Sequence, residues 1–311
     1  MKLHSLIILF CLLPPAAFSQ QNAIEVTLTA RVDTTKGNIK EIYRLWTNYL
    51  NSDIDSIYDN PYWNTREKEL YAGTNMPFDR GMWVMYFRQD PAIVMKAYKP
   101  KVLSIEPEGE KYRIKTLFYR DSISTTYQAH NPPWISIYFA IRENEQWKLQ
   151  NAIIEMTAKW ETYKTKYIYY FYPPSHPFNE NQANRSDRFI DSLITTFDLK
   201  DVKPFDYFVT SSIEDFSKLY NLDYWLHYVG AMTHKSVNQI CTSKVNEYYA
   251  HEFVHMVFPK IKHGIISEGL ATWLTGPSDG MSYKEALLGF AEEIKNNDTL
   301  TFSDILTKKY Y

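Results

Sequence analysis

Cysteine is almost missing from this chain, with two in 311 residues. Cys11 falls in an N-terminal stretch that reads as a cleaved leader, so the mature chain keeps Cys241 alone and forms no internal disulfide. An exported chain without such cross-links has to draw its stability from a packed core. Charge of one sign is missing too: 34 Lys and Arg face 36 Asp and Glu, which leaves no polybasic footprint for nucleic acid. Long apolar runs are also lacking. The run at residues 6–13 is far short of the roughly 20 residues that a membrane span requires, and no internal repeat or low-complexity linker interrupts the chain.

The first residues, MKLHSLIILFCLLPPAAFSQ, carry one lysine, the short apolar run, and small residues ending Ala17-Phe18-Ser19. That order predicts a signal peptide over residues 1–19 and export to a periplasm or the exterior. Cys11 stands behind bulky Phe10, without the small residues that precede a lipidated cysteine.

Apolar residues make up 45% of the chain and aromatics 16%, enough for two globular cores. Residues 39–50 place Ile39, Ile42, Trp46, Tyr49 and Leu50 at helical spacing, after a short strand IEVTLTARV. Residues 94–120 alternate around Glu108-Gly109-Glu110, and 134–156 around Glu143-Asn144-Glu145, as β-hairpins do. A leading helix followed by long antiparallel strands is an α+β arrangement over residues 22–158. It resembles the cone-shaped NTF2-like domains. Past Lys159 strands alternate with helices. TKYIYYFYPP and PFDYFVT read as strands, Ser186 as the cap of a helix, and Ile213, Phe216 and Leu219 as the face of another. A second domain is therefore expected over residues 160–311.

Within that second part lies NEYYAHEFVHMVFPKIKHGIISEGLATWLTG, residues 246–276. Residues 243–258 lack Gly and Pro and stop at Pro259, which predicts a single helix of about four turns. His251 and His255, at i and i+4, project from one face and can reach a common ion. A second helix is expected to start with Ser267 as its cap and to end at Gly276-Pro277, with Glu268 in its first turn. Folded back on the first, it brings the Glu268 carboxylate beside the two imidazoles. Zinc takes such a set of three protein ligands when it keeps a fourth position open for water, and Glu252 would then face that water as a base. The competing reading is a core helix with hydrogen-bonded histidines. Against it stands the cost of burying two histidines and a glutamate, without partners, on an otherwise apolar helix.

HEFVH followed by SEGLATW resembles the gluzincin metallopeptidases, most closely the compact peptidase-MA-like domains. The resemblance implies a thermolysin-like mixed α/β domain holding one Zn2+ on His251, His255 and Glu268, with Glu252 as general base. It also implies a peptide or protein substrate held by an edge strand before the active helix, where this chain has Gly230, Ala231, Met232 and Thr233. The metzincin pattern does not fit, because Phe258 and Ile261 stand where it requires Gly and His. Two departures from the gluzincin pattern remain. Thr272 occupies the position of an aspartate that orients a histidine, and no oxyanion donor is obvious among Tyr283, Tyr310 and Tyr311 downstream or His234 upstream. Ser282 and Glu285 read as a capping box for a helix whose core face would be Tyr283, Ala286, Leu287, Phe290, Ala291 and Ile294.

Other features have plainer readings. Residues 167–172 look like a buried strand, Thr162, Lys164 and Lys166 like a solvated strand face, and Cys241 like a small buried residue. Trp63 and Trp134 either line a cavity of the first domain or plug it. The expected protein is an exported zinc metallopeptidase. The alternatives are a zinc-binding interaction module with little turnover and a zinc hydrolase of a non-peptide amide.

Overall fold

The computed structural model describes residues 23–52, 60–74, 76–85, 97–120, 133–226, 230–276 and 283–296. The first of two mixed sheets is built from β1 (Thr27–Leu28), β2 (Lys99–Glu108), β3 (Lys111–Tyr119), β4 (Trp134–Glu143) and β5 (Gln146–Asn151), hydrogen-bonded in that order. Its turns are set locally. Gly109 takes a left-handed conformation (φ 65°) between β2 and β3, and Asn144 and Glu145 do so between β4 and β5 (φ 48° and 64°). The second hairpin ends sooner than the alternation predicts. Residues Ala152–Met156 form a short helix, and the Ala152 amide is held by Asn221 Oδ1 at 2.8 Å.

Helix α1 (Gly37–Leu50) buries Ile39, Ile42, Leu45, Trp46, Tyr49 and Leu50, the stripe that its spacing predicts. It is followed by α2 (Thr65–Tyr71) and α3 (Arg80–Met85), with Ala152–Met156 as α4. Trp63 packs edge-on to Tyr49 and Tyr138, while Trp134 stacks on Phe118 with centroids 4.8 Å apart. Both tryptophans are core residues rather than walls of an open cavity.

The second sheet contains β6 (Glu161–Lys164), β7 (Ile168–Tyr172), β8 (Phe205–Val209), β10 (Ala231–His234) and β11 (Gln239–Thr242), in the order β10-β11-β8-β7-β6. Its three middle strands run parallel, as strands joined by crossovers do, and β10 and β6 are antiparallel edges. Between them in sequence lie α5 (Glu180–Thr196), α6 (Ile213–Lys218) and β9 (Leu222–Tyr224). Helix α5 begins about two turns earlier than expected. Asn179 caps it, accepting from the Gln182 amide, and Ser186 lies inside it, donating to the Glu247 carbonyl at 2.8 Å.

Alternation assigns the two faces of this sheet to different neighbours. Ile168, Tyr170, Phe205, Tyr207, Val209 and Ile240 pack under α5 and under two later helices, α7 (Ala250–Val257) and α8 (Gly264–Thr275). Phe171, Phe208, Met232 and Cys241 point the other way, into the core of the first sheet. Strand β9 goes further and pairs with β4, through Ile135 with Tyr224 and Ser136 with Leu222. The chain is thus a mixed α+β structure with two sheets that share buried contacts. A last helix, α9 (Tyr283–Asn296), leaves Leu287 48% exposed, against the expectation of a core position. Ser282, Tyr310 and Tyr311 lie outside the described residues, as do residues 1–19, where a signal peptide is expected. No helix among the described residues is long and apolar enough to cross a membrane.

Candidate metal centre

The helix that carries HEFVH is two turns long, not four. Residues 243–249 are not helical because their polar groups are committed elsewhere. The Glu247 carboxylate meets His176 Nε2 at 2.5 Å and the Asn179 amide at 3.1 Å, and its carbonyl accepts from Tyr170 and Ser186 hydroxyls. Asn246 Oδ1 accepts from the Tyr248 amide. A helix through this stretch would have to give up those bonds, most of them buried.

The second helix also starts elsewhere than predicted. It runs from Gly264 to Thr275, with His263 at its cap and Ser267 one turn inside, and Gly276 ends it at φ 80°. Glu268 is therefore in the second turn. Ser267 serves a different purpose from capping: its Oγ lies 2.9 Å from His255 Nδ1 and accepts from Lys235 Nζ at 3.2 Å. Lys235 stands just past β10 and also donates to the Ile261 carbonyl, tying the strand to the loop between the two helices.

His251, His255 and Glu268 come together as the spacing predicts. Each offers a ligand atom, and those atoms lie within 4.8 Å of one another. His251 Nε2 is 3.1 Å from Glu268 Oε2, and His255 Nε2 is 3.4 Å from Oε1. The imidazole rings stand 4.9 Å apart at 80°, so two nitrogens and a carboxylate converge on one region. Hydrogen bonding to His251, and then to His255, holds the Glu268 carboxyl well below the usual carboxylate range. The histidine side chains are nearly buried, while Glu268 keeps 64% of its side chain exposed, which leaves the group open on one side.

These donors suit a divalent ion of the zinc type, which takes imidazole nitrogen and carboxylate oxygen together. Ser267 fixes the far side of the His255 ring, so Nε2 is the nitrogen presented toward Glu268. His251 has no such support: its Nδ1 is buried and meets no hydrogen-bond partner among the described residues. Thr272, where the gluzincin pattern has an aspartate, supplies no bond to it.

Glu252 is 7% exposed and turned toward β10, where Thr233 Oγ1 donates to its Oε2 at 2.5 Å. Ala231 and Met232 lie on that edge strand and Gly230 immediately precedes it. The Met232 side chain packs into the core of the first sheet. The Gly230 carbonyl accepts from the Ser243 amide at 3.0 Å and is already paired. His234 is buried between Trp83 and Tyr220, whose hydroxyl is 2.8 Å from Nε2. Burial, aided by the Arg80 cation, pushes this imidazole down to about 3, so it is neutral and cannot donate as an imidazolium.

Sequence reasoning placed Thr233 on the edge strand but missed its bond to Glu252, and passed over Lys235 and the His176–Glu247 pair. Only Ser267 carried a local signal, its place directly before Glu268, and that signal reads equally as a cap. No protein-family model, curated protein or solved structure matches the chain.

Proposed function

We propose that this chain is an exported zinc-dependent peptidase of the gluzincin kind, with an NTF2-like first part and a thermolysin-like second part. One observation carries the reading: a solvent-open His251–His255–Glu268 group with the Glu252 carboxylate on the adjoining position of the same helix. Zinc held by these three residues would polarise a scissile carbonyl and lower the pKa of water toward ~7.

The chain's own residues supply the rest. Glu252 has one oxygen engaged by Thr233, which leaves Oε1 to take the proton of the attacking water and return it to the leaving amine nitrogen. Strand β10 presents its outer backbone edge to an extended peptide, and Ala231 lies on that edge. The first core backs β10 through Met232 and through Trp83 against His234, and so supports the strand that would hold the substrate in register.

The test is a peptide library offered to the zinc-loaded protein beside a Glu252→Gln variant. Cleavage by the first and its loss, by roughly 10³-fold or more, in a variant that keeps its zinc is the expected result, since the base is removed and the ligands are not. Equal cleavage by both would remove Glu252 from the mechanism. Tight zinc binding with no cleavage of any peptide would replace the enzyme by an interaction module.

A further inference from the structure

We infer that Thr233 is a positioning residue for Glu252, and that the core on the opposite face of the same strand, through Trp83 and Tyr220, sets where Thr233 stands. This rests on the peptidase reading of the site.

Strand β10 is two-faced. Its alternate residues Met232 and His234 turn toward the first core, where Met232 packs and His234 lies 4.8 Å from the Trp83 ring of α3 and hydrogen-bonds Tyr220, which follows α6. Thr233, between them, must point to the other face, and there its hydroxyl meets Glu252 Oε2 at 2.5 Å. β10 is an edge, bonded to β11 on one side, so its own sheet fixes it less firmly than a central strand. The anchors on Trp83 and Tyr220 compensate for that freedom.

A glutamate side chain has several staggered rotamers within easy reach. With Oε2 tethered to a hydroxyl on a fixed strand, one arrangement is selected and Oε1 is left as the working atom. Misplacement of a catalytic group by about 1 Å can lower a rate by about 10²-fold. A tether of this kind therefore acts on the chemical step more than on substrate binding.

Two substitutions separate positioning from packing. Thr233→Val keeps the shape and removes the donor; Thr233→Ser keeps the donor and removes a methyl. The expected result is a kcat lowered about ten- to hundredfold in Thr233→Val, with KM within about twofold and one zinc per chain retained. Thr233→Ser should recover most of kcat. A residue that served only to fill space would give the reverse order, with Val silent and Ser damaging. A second readout needs no activity: in chelator-treated protein, the Tm lost in Thr233→Val should shrink when Glu252→Ala is already present. Wild-type kcat in Thr233→Val, or additive Tm losses, would overturn the inference while leaving an active peptidase in place. A zinc-loaded wild type that cleaves no peptide would instead remove the peptidase reading and this role with it.

Discussion

Arg80 Nη1 donates to Gln239 Oε1 at 2.9 Å, so a guanidinium from the first half of the chain is hydrogen-bonded inside the second sheet. Arg80 is fully buried, and its Nε donates to the Leu219 carbonyl at 2.8 Å while its plane lies over the Trp83 ring. Beside it, Asn221 donates to Asp79 and to Asn151, continuing the polar seam between the halves. Buried polar groups with every partner in place specify one arrangement of the elements around them.

Replacing Arg80 by methionine keeps much of the volume and leaves Gln239 Oε1 and the Leu219 carbonyl without their donor. Each orphaned acceptor costs about 1–3 kcal/mol, so a loss of about 3 kcal/mol in unfolding free energy is expected. In urea, tryptophan fluorescence from the first core and hydrogen exchange in β8 and β11 should report one shared transition, shifted together by the substitution. Separate transitions for the two sheets would show that the seam does not couple them.

The Ser267 contact to His255 predicts a graded effect on metal. Glu268→Ala removes one of the three proposed ligands and should bring bound zinc from about one per chain to near zero at micromolar metal. Ser267→Ala keeps all three metal-facing groups and removes the hydroxyl shared by His255 Nδ1 and Lys235 Nζ, and should weaken zinc about ten- to hundredfold, as loss of an outer partner does. Competition with a chromophoric chelator measures both. If Ser267→Ala binds as tightly as the native chain, the orientation of His255 comes from packing alone.

How much of this was legible in the sequence differs by residue. Helix α1 and both hairpins follow from local patterns: the stripe from Ile39 to Leu50, Gly109, and the Asn144-Glu145 pair. The convergence of His251, His255 and Glu268 was legible because two spacings within one short stretch fix it. The length of α7 was not. Gly- and Pro-free sequence permits a helix through residues 243–249, but Glu247 finds His176 and Asn179, about seventy residues away, and tertiary bonds override propensity. The start of α8 was misjudged for a similar reason, since Ser267 has the chemistry of a cap and is used on His255 instead. Thr233 carries no signal of its own, because its meaning depends on which face of β10 meets which helix.

His234 predicts a pH effect that can be isolated. Unfolded, its ring gains a proton below about pH 6.5; folded, burial and Arg80 keep it neutral down to about 3. Between those values the unfolded chain binds more protons, so stability falls as pH drops through this window. Asp79 and Glu67 act in the opposite sense, because burial raises both carboxyls and lets the fold hold protons that the unfolded chain has lost. A His234→Gln variant removes only the first contribution. Urea midpoints measured from pH 7 to 4 should fall less steeply in the variant than in the native chain; parallel curves would mean that His234 titrates normally.

The His176–Glu247 contact leads to the last expectation. Both side chains are nearly completely buried and 2.5 Å apart, and Glu247 lies four residues before His251. Removing the imidazole by His176→Ala strands a carboxylate whose remaining side-chain partner is the Asn179 amide. Breaking a buried pair from one side costs about 3–5 kcal/mol. Replacing both, as His176→Leu with Glu247→Met, leaves neither partner stranded and should recover much of that loss, though the segment then depends on Tyr170 and Ser186 to hold the Glu247 position's carbonyl. Because this segment leads directly into α7, the single variant should also bind zinc more weakly, and the double variant should regain part of the affinity. Stability and zinc affinity measured on the same three proteins test the link. A single variant that loses stability yet binds zinc as the native chain does would show that α7 is positioned from α8 and β10, without help from the turn that precedes it.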